Sequence, residues 1–316
     1  MRPVCFVGID TSNYTTSVAV ASHDGEIIAN LKLPLPVKEG ERGLRQSDAL
    51  FAHTKNLPCL MESLAEILKN YIPLAVGCSD KPREVEGSYM PCFLAGVAAA
   101  SAFSAPMGLP IYRFSHQDGH IMAAYYSSGA DIAGDFAAFH VSGGTTELLY
   151  VKRNDNGFSV ELIGESNDLN AGQCIDRTGV MMGLKFPCGA EMDKLALEFK
   201  GKMPPVKISV KDMSCNLSGV ENLTKKLYYE TGDKQLVSAF TFEYIAKTLY
   251  KMTDSLRVNY PDIPIIYAGG VMSSDYIGAR LNYNRRDVYF AKPAFSADNA
   301  AGIALLCREK YLKERS

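Results

Sequence analysis

The chain opens on an apolar run, Val4-Cys5-Phe6-Val7-Gly8-Ile9, that stops at the polar turn Asp10-Thr11-Ser12-Asn13. Apolar positions without polar alternation predict a strand covered on both faces. Thr16–Ala21 predicts a second strand, and His23-Asp24-Gly25 supplies a hairpin turn into a third at Glu26–Leu33. Pro34–Asp48 mixes prolines, glycines and charges and is expected as a long exposed loop. A helix is expected at about Leu50–Asn70, a second loop at Ser79–Tyr89, and a small-residue helix at Cys92–Ala105. Pro110–Tyr112 predicts a short strand, and Ser115 then caps a helix that starts at His116.

The second half repeats the opening pattern. Asp135–Val141 and Glu147–Lys152 predict strands joined by the turn Ser142-Gly143-Gly144-Thr145-Thr146, and Asn154–Gly157 turns the chain into a third strand at Phe158–Ile163. Strand, small-residue turn and strand therefore occur twice, about 130 residues apart. This duplication predicts an α/β protein of two ribonuclease-H-like halves, residues 1–126 and 127–316, facing each other across a cleft. The last helix is a candidate to pack back on the first half.

At 316 residues, with 47% hydrophobic and 22% charged residues, the composition is that of an ordinary globular chain of two domains. A net charge of −2 excludes a generally basic nucleic-acid coat but not a local basic groove. None of the eight cysteines forms a C-x-x-C pair, and several lie in apolar runs, so free thiols are expected. The start carries no signal-peptide pattern, and Cys92–Met107 is too short and too rich in Ala and Ser to span a membrane. A cytoplasmic location without membrane contact is the expectation.

Both small-residue turns have the chemistry to meet an anion. Asp10-Thr11-Ser12 offers short polar side chains and backbone N–H groups. Gly143 and Gly144 let the second turn come close to a ligand, while Ser142 and Thr145 add hydroxyls. His116 and His120 stand at i and i+4 on one helical face, a spacing that suits one metal ion. Gln117 follows the first histidine where a zinc peptidase needs Glu, so simple zinc-protease chemistry is disfavoured. Asp298 lies at the mouth of a final helix and reads equally as an N-cap. Gly269 and Gly270 follow the strand Ile263–Tyr267 and precede a helix, which brings a helix N-terminus close to a ligand or serves plain helix–sheet packing. Asp176 suits a ligand hydroxyl such as ribose, or an ion pair with Arg177.

Seven segments, in order along nearly the whole chain, resemble the family of universal tRNA threonylcarbamoyladenosine synthases, long labelled O-sialoglycoprotein endopeptidases or glycoproteases. They are Gly8–Ser12, His116–His120, Val141–Gly144, the Asp176 helix with Pro187-x-Gly189, Leu217-Ser218-Gly219, Gly269-Gly270-Val271 and Asp298-Asn299. The resemblance implies an actin-like ATPase fold and a divalent metal, iron or zinc, held by His116, His120 and Asp298. It implies ATP or threonylcarbamoyl-AMP as ligand, with Ser142, Gly143 and Gly144 on the phosphate side and Asp176 and Gly189 as further contacts. The implied reaction moves a threonylcarbamoyl group from its adenylate to adenosine N6 of tRNA.

The departures are equally specific. The family's first loop reads Thr-Ser-Cys-Asp-Glu-Thr, whereas this chain has Thr11-Ser12-Asn13-Tyr14-Thr15-Thr16 and neither acid. Ser79–Gly87 replaces a Gly-Pro-Gly loop, Thr145 the family's His, and Ser274 its Asn. The opening also resembles the family's non-catalytic partner paralogue. Two functions follow: a metal-dependent threonylcarbamoyl or carbamoyl transferase, or a nucleotide-binding partner of a true synthase. Lys194, Lys200, Lys202, Lys207 and Lys211 form either a tRNA-facing set or a solvated helix face and loop. The Cys92–Ala105 helix serves either homo- or heterodimerisation or core packing.

Overall fold

The computed structural model describes residues 2–12, 14–36, 44–154, 157–281, 287–296 and 299–316. Two compact units are present: Met1–Ser127 with Arg153–Ser159 and Ala297–Ser316, and Ser128–Lys152 with Val160–Ser296. The main division falls between Ser127 and Ser128, and Arg153–Ser159 and the C-terminal helix are grouped with the first unit.

The first unit holds strands β1 (Val4–Thr11), β2 (Thr15–Ser22), β3 (Ile27–Pro34), β4 (Ile72–Lys81) and β5 (Ile111–Ser115). Helices α1 (Gln46–Leu68), α2 (Phe93–Ser104) and α3 (His116–Ser128) and the C-terminal helix (Ala301–Lys313) complete it. The sheet order is β3-β2-β1-β4-β5, with the hairpin strands antiparallel and β1, β4 and β5 parallel. Period-2 alternation along β1 sends Cys5, Val7 and Ile9 toward Leu57, Leu60 and Leu64 of α1 and Ala95 and Ala100 of α2. Each such buried leucine contributes roughly 1.5–3 kcal/mol of transfer free energy. The opposite face carries the C-terminal helix at very close range. A methyl group on Gly8 would lie 2.4 Å from the Ala304 backbone nitrogen, and one on Gly77 would lie 2.9 Å from the Ile303 carbonyl oxygen.

The second unit holds β6 (Phe136–Val141), β7 (Thr146–Asn154), β8 (Gly157–Glu165), α4 (Ala171–Met181) and α5 (Gly189–Glu198), except that Arg153–Ser159 is grouped with the first unit. The small pair β9 (Ser209–Lys211) and β10 (Ser214–Asn216) leads to α6 (Ser218–Thr231) and α7 (Lys234–Asn259). β11 (Ile265–Ala268), α8 (Asp275–Leu281), β12 (Val288–Phe290) and α9 (Pro293–Ser296) follow. The sheet order is β12-β11-β6-β7-β8. Read from β8, it repeats the first sheet strand for strand: β6 and β7 are antiparallel, while β6, β11 and β12 run parallel. The duplicated α/β arrangement is therefore present in both halves. The core of this unit gathers Phe139, Leu148, Phe242, Ile245 and Tyr267, with the Phe139 and Tyr267 rings stacked 4.8 Å apart.

Several local expectations are corrected. β4 had no counterpart among the expected elements, because its residues are buried on both faces and show no alternation. It extends through Ser79–Lys81, expected as loop, where Ser79 pairs with Phe114 and Lys81 with Ser115. α1 begins at Gln46, inside the expected loop, since its first turn is polar for facing solvent, and it runs on through Pro58. Gly270–Ser273 forms a single 3-10 turn before α8, so no long helix starts at Gly269-Gly270. Among the described residues no helix is long and apolar enough to cross a membrane. All eight cysteines are free.

Candidate functional site

In the first unit β1 delivers Asp10, Thr11 and Ser12, all buried, to the C-terminal edge of the parallel strands. The Thr11 hydroxyl donates to the Cys92 carbonyl at 3.0 Å and accepts the Gly96 N–H at 3.1 Å, so it fastens α2. Behind the turn sits His53 of α1, fully buried, with Nε2 2.6 Å from the Ser12 carbonyl oxygen and Nδ1 2.8 Å from the Thr16 hydroxyl. A carbonyl only accepts, so Nε2 carries the hydrogen and Nδ1 accepts from Thr16. Burial lowers the pKa of this ring, against the opposing effects of the Ser12 hydrogen bond and the Asp10 charge. Burial thus favours the neutral ring, in which Nδ1 accepts from Thr16. His53 was not anticipated from sequence.

Ser115 starts α3 as expected: its hydroxyl accepts the Asp118 N–H at 3.1 Å and donates to Asp118 Oδ2 at 2.8 Å. Burial raises the Asp118 pKa to about 6, with the Ser115 hydrogen bonds opposing. His116 and His120 face each other, Nε2 to Nε2 at 2.9 Å, and His116 Nδ1 lies 2.9 Å from Asp10 Oδ1. Two imidazole nitrogens brought this close would be two of the ligands of a single metal ion. Imidazole is a donor that iron and zinc both accept. Among the described residues no group of three or more His, Cys, Asp or Glu side chains is placed to hold a metal. Asp298, the third ligand the resemblance implies, lies outside the described residues.

In the second unit the Ser142–Thr145 turn closes on itself. Ser142 Oγ accepts the N–H groups of Gly144 and Thr145, each at 3.1 Å, and lies 3.0 Å from Thr145 Oγ1. His140 Nδ1 stands 3.4 Å from that same Thr145 oxygen. The N-terminus of α4 is pressed against this turn: Gly172 N–H donates to the Ser142 carbonyl at 3.1 Å, and Asn170 Nδ2 to the Gly144 carbonyl at 2.8 Å. Gly269, at φ +99°, is wedged against β6, and a methyl there would fall 2.2 Å from the Val141 carbonyl oxygen. Its role is close packing.

A pocket of about 430 Å³ lies within this unit. Of the anticipated residues it brings together Gly143, Asp176, Gly189, Gly270 and Ser274. Ser142, Gly144, Thr145 and Gly269 do not line it. Ile175, Pro187, Phe242 and Val271 make apolar walls, and Asp193 adds a second carboxylate that sequence reasoning missed. Asp176 Oδ1 accepts the Cys188 N–H at 2.8 Å, and burial raises its pKa against that bond. The ion pair once open to Asp176 is absent, because Arg177 pairs with Glu221 at 3.1 Å. Asp193 accepts the Ser274 hydroxyl and the Asp275 and Tyr276 N–H groups, which fixes Ser274 on the pocket wall. Asp168 ties the Leu217-Ser218 segment beside α4. Burial acts to raise its pKa, but hydrogen bonds from Ser218, Leu217, Leu169 and Asn216 bring it down to about 2. Chemically, apolar walls with two carboxylates beside a helix N-terminus suit a flat ring, a hydroxylated sugar and an anion.

Comparison with known proteins adds the family context. The family model described as TsaD, tRNA N6-adenosine threonylcarbamoyltransferase, matches residues 87–305. A protein of that name from Streptococcus suis is 29% identical over 331 residues, covering 99% of this chain and 94% of the relative. One from Thermosipho africanus is 28% identical over 327 residues, covering 97% and 94%. Among solved structures, full-length HypF in its phosphate- and nucleotide-bound form has a TM-score of 0.61 at 12% identity, covering 99% of this chain and 47% of that one. A ROK family glucokinase from Streptomyces griseus, in complex with glucose and AMPPNP, has a TM-score of 0.53 at 12% identity, covering 96% and 99%. These structural likenesses establish the actin-like ATPase fold.

Proposed function

The chain belongs to the tRNA N6-adenosine threonylcarbamoyltransferase family, and on that premise we propose that it transfers a threonylcarbamoyl group from its adenylate to adenosine N6 of tRNA. The observation that carries this reading is the pocket of the second unit. Its apolar walls would take the adenine, Asp176 the ribose hydroxyls, and the Gly143 turn with the α4 N-terminus the phosphate side. His116 and His120, with Asp298, would hold one iron or zinc ion. When bound, such a cation supplies positive charge to developing negative oxygens. Gly189 and Gly270 keep the pocket wall free of side-chain bulk, and Ser274 contributes a hydroxyl that Asp193 holds in place.

A second reading, a nucleotide-binding partner of a true synthase, is favoured by the first turn. Neither acid of the family loop is present, and Thr11 and Ser12 are engaged by α2 and His53. The test is complementation of a synthase-depleted strain with analysis of tRNA nucleosides. Restored threonylcarbamoyladenosine supports the transferase; a failure to restore it, with nucleotide binding intact, supports the partner reading. The metal is tested separately: His116→Ala with His120→Ala is expected to leave the purified protein without iron or zinc. Metal content equal to the wild type would refute the site.

A further inference from the structure

The buried carboxylate at the end of β1 has a described hydrogen bond to one group alone. Asp10 is fully buried, its Oδ1 lies 2.9 Å from His116 Nδ1, and its Oδ2 has no partner among the described residues. Its backbone is clamped by the β1–β2 ladder, where Asp10 pairs with Ser17 and Thr11 with Thr16, and the Ser17 hydroxyl donates to the Asp10 carbonyl at 3.3 Å. The carboxylate is thus fixed at one distance from one ring nitrogen. We propose that Asp10 is a positioning residue for His116, setting its tautomer and ring orientation, and that it does not act through contact with the nucleotide.

The argument is one of donors and acceptors. A carboxylate accepts and cannot donate, so His116 Nδ1 carries the hydrogen, and in the neutral ring, the form able to ligate a metal, Nε2 presents its lone pair. The 2.9 Å contact between the two Nε2 atoms then has His120 as its donor. A metal ion held here would take the His116 Nε2 lone pair, with the Nδ1 hydrogen still donated to Asp10. Carboxylates in this relation to a ligating imidazole fix its orientation and raise its basicity, and their loss typically lowers metal affinity 10–100-fold. The metal half of this inference rests on the reading of His116 and His120 as ligands; the tautomer half does not.

The experiment uses the full-length protein stripped of metal by chelation and labelled with 15N-histidine, with the His116 signals assigned by a His116→Asn variant. His116 is expected to be protonated at Nδ1 in the wild type, and Asp10→Asn, checked for folding by thermal melting, is expected to bind zinc 10–100-fold more weakly. A wild-type His116 protonated at Nε2 overturns the proposal, as does a folded Asp10→Asn protein whose zinc affinity stays within about twofold. A wild type that binds no zinc defeats the ligand reading instead, and the tautomer then decides the role of Asp10. Should Asp10→Asn fail to fold, the wild-type tautomer decides it likewise.

Discussion

Gly172→Ala is the sharpest perturbation of the phosphate-side turn. An added methyl would sit 2.7 Å from both Cα and N of Gly143 and 2.8 Å from the Ser142 carbonyl carbon. Ordinary carbon contacts need about 3.5–4.0 Å, so turn and helix must part by roughly 1 Å. That stretches the Gly172 N–H to Ser142 carbonyl bond from 3.1 Å beyond hydrogen-bonding range. Overpacking costs about 1–3 kcal/mol and the lost bond about 0.5–1.5 kcal/mol. The gain in helix propensity of Ala over Gly offsets only about 0.5–1 kcal/mol. A net loss of about 0.5–4 kcal/mol is expected, a fall in Tm of roughly 1–16 °C for a unit of this size. Calorimetric titration with a non-hydrolysable ATP analogue should show at least a tenfold loss of affinity. Gly219→Ala is the control, because a methyl on that α6 glycine meets nothing within 4 Å. A Gly172→Ala protein with wild-type Tm and wild-type affinity would refute the claim that helix and turn form one rigid anion seat.

Gly189→Ala separates binding from stability: its methyl meets no atom within 4 Å yet enters the pocket lining, so Tm should hold while analogue affinity falls. Equal affinity would remove Gly189 from the ligand surface. Asp118 makes a pH prediction with an unusual sign, because burial raises its folded pKa from 3.8 to about 6. The fold therefore favours the protonated acid, and the associated stability is complete below the unfolded pKa and lost as pH rises through 6, by roughly 3 kcal/mol at about 1.4 kcal/mol per unit. Asp118→Asn, melted in urea across pH 4–7 with metal removed, should flatten that slope relative to the wild type; an unchanged slope would place the ionisation elsewhere.

Legibility in the sequence followed the physics of each element. β1 and β6 announced themselves because each ends an apolar run in a small-residue turn, and the same event twice exposes a duplication. β4 stayed hidden for the complementary reason: Ile72–Lys81 is buried on both faces and carries proline at its second position, so neither alternation nor a turn marks it. His116 and His120 could be paired from their helical spacing, but Asp10 lies 106 residues away and could only be read as a turn residue. His53 and Asp193 were invisible because each occupies an unremarked position in a polar helix. Their importance comes from what they hold, the Ser12 carbonyl in one case and the Ser274 hydroxyl in the other. Gly269 was legible as a conformational signal, yet its pressure on Val141 assigns it to packing.

The departures at the two small-residue turns fall on side chains that the backbone frames beneath them do not use. The Ser142 turn is closed by its own hydroxyl and by Gly172 and Asn170, none of which depends on residue 145 being histidine. Thr145 therefore changes which donor is presented, with His140 close behind it at 3.4 Å, and leaves the shape of the turn alone. The first turn is likewise held from behind, by His53 on the Ser12 carbonyl and by Thr11 on α2, with no call on the missing acids. On the proposed reading such frames would sustain ligand binding, whereas altered side chains would act on the difference between ground state and transition state. Nucleotide affinity is therefore expected of the transferase and of the partner protein alike and cannot separate them. Turnover with tRNA can, since only the transferase must stabilise the attack of adenosine N6.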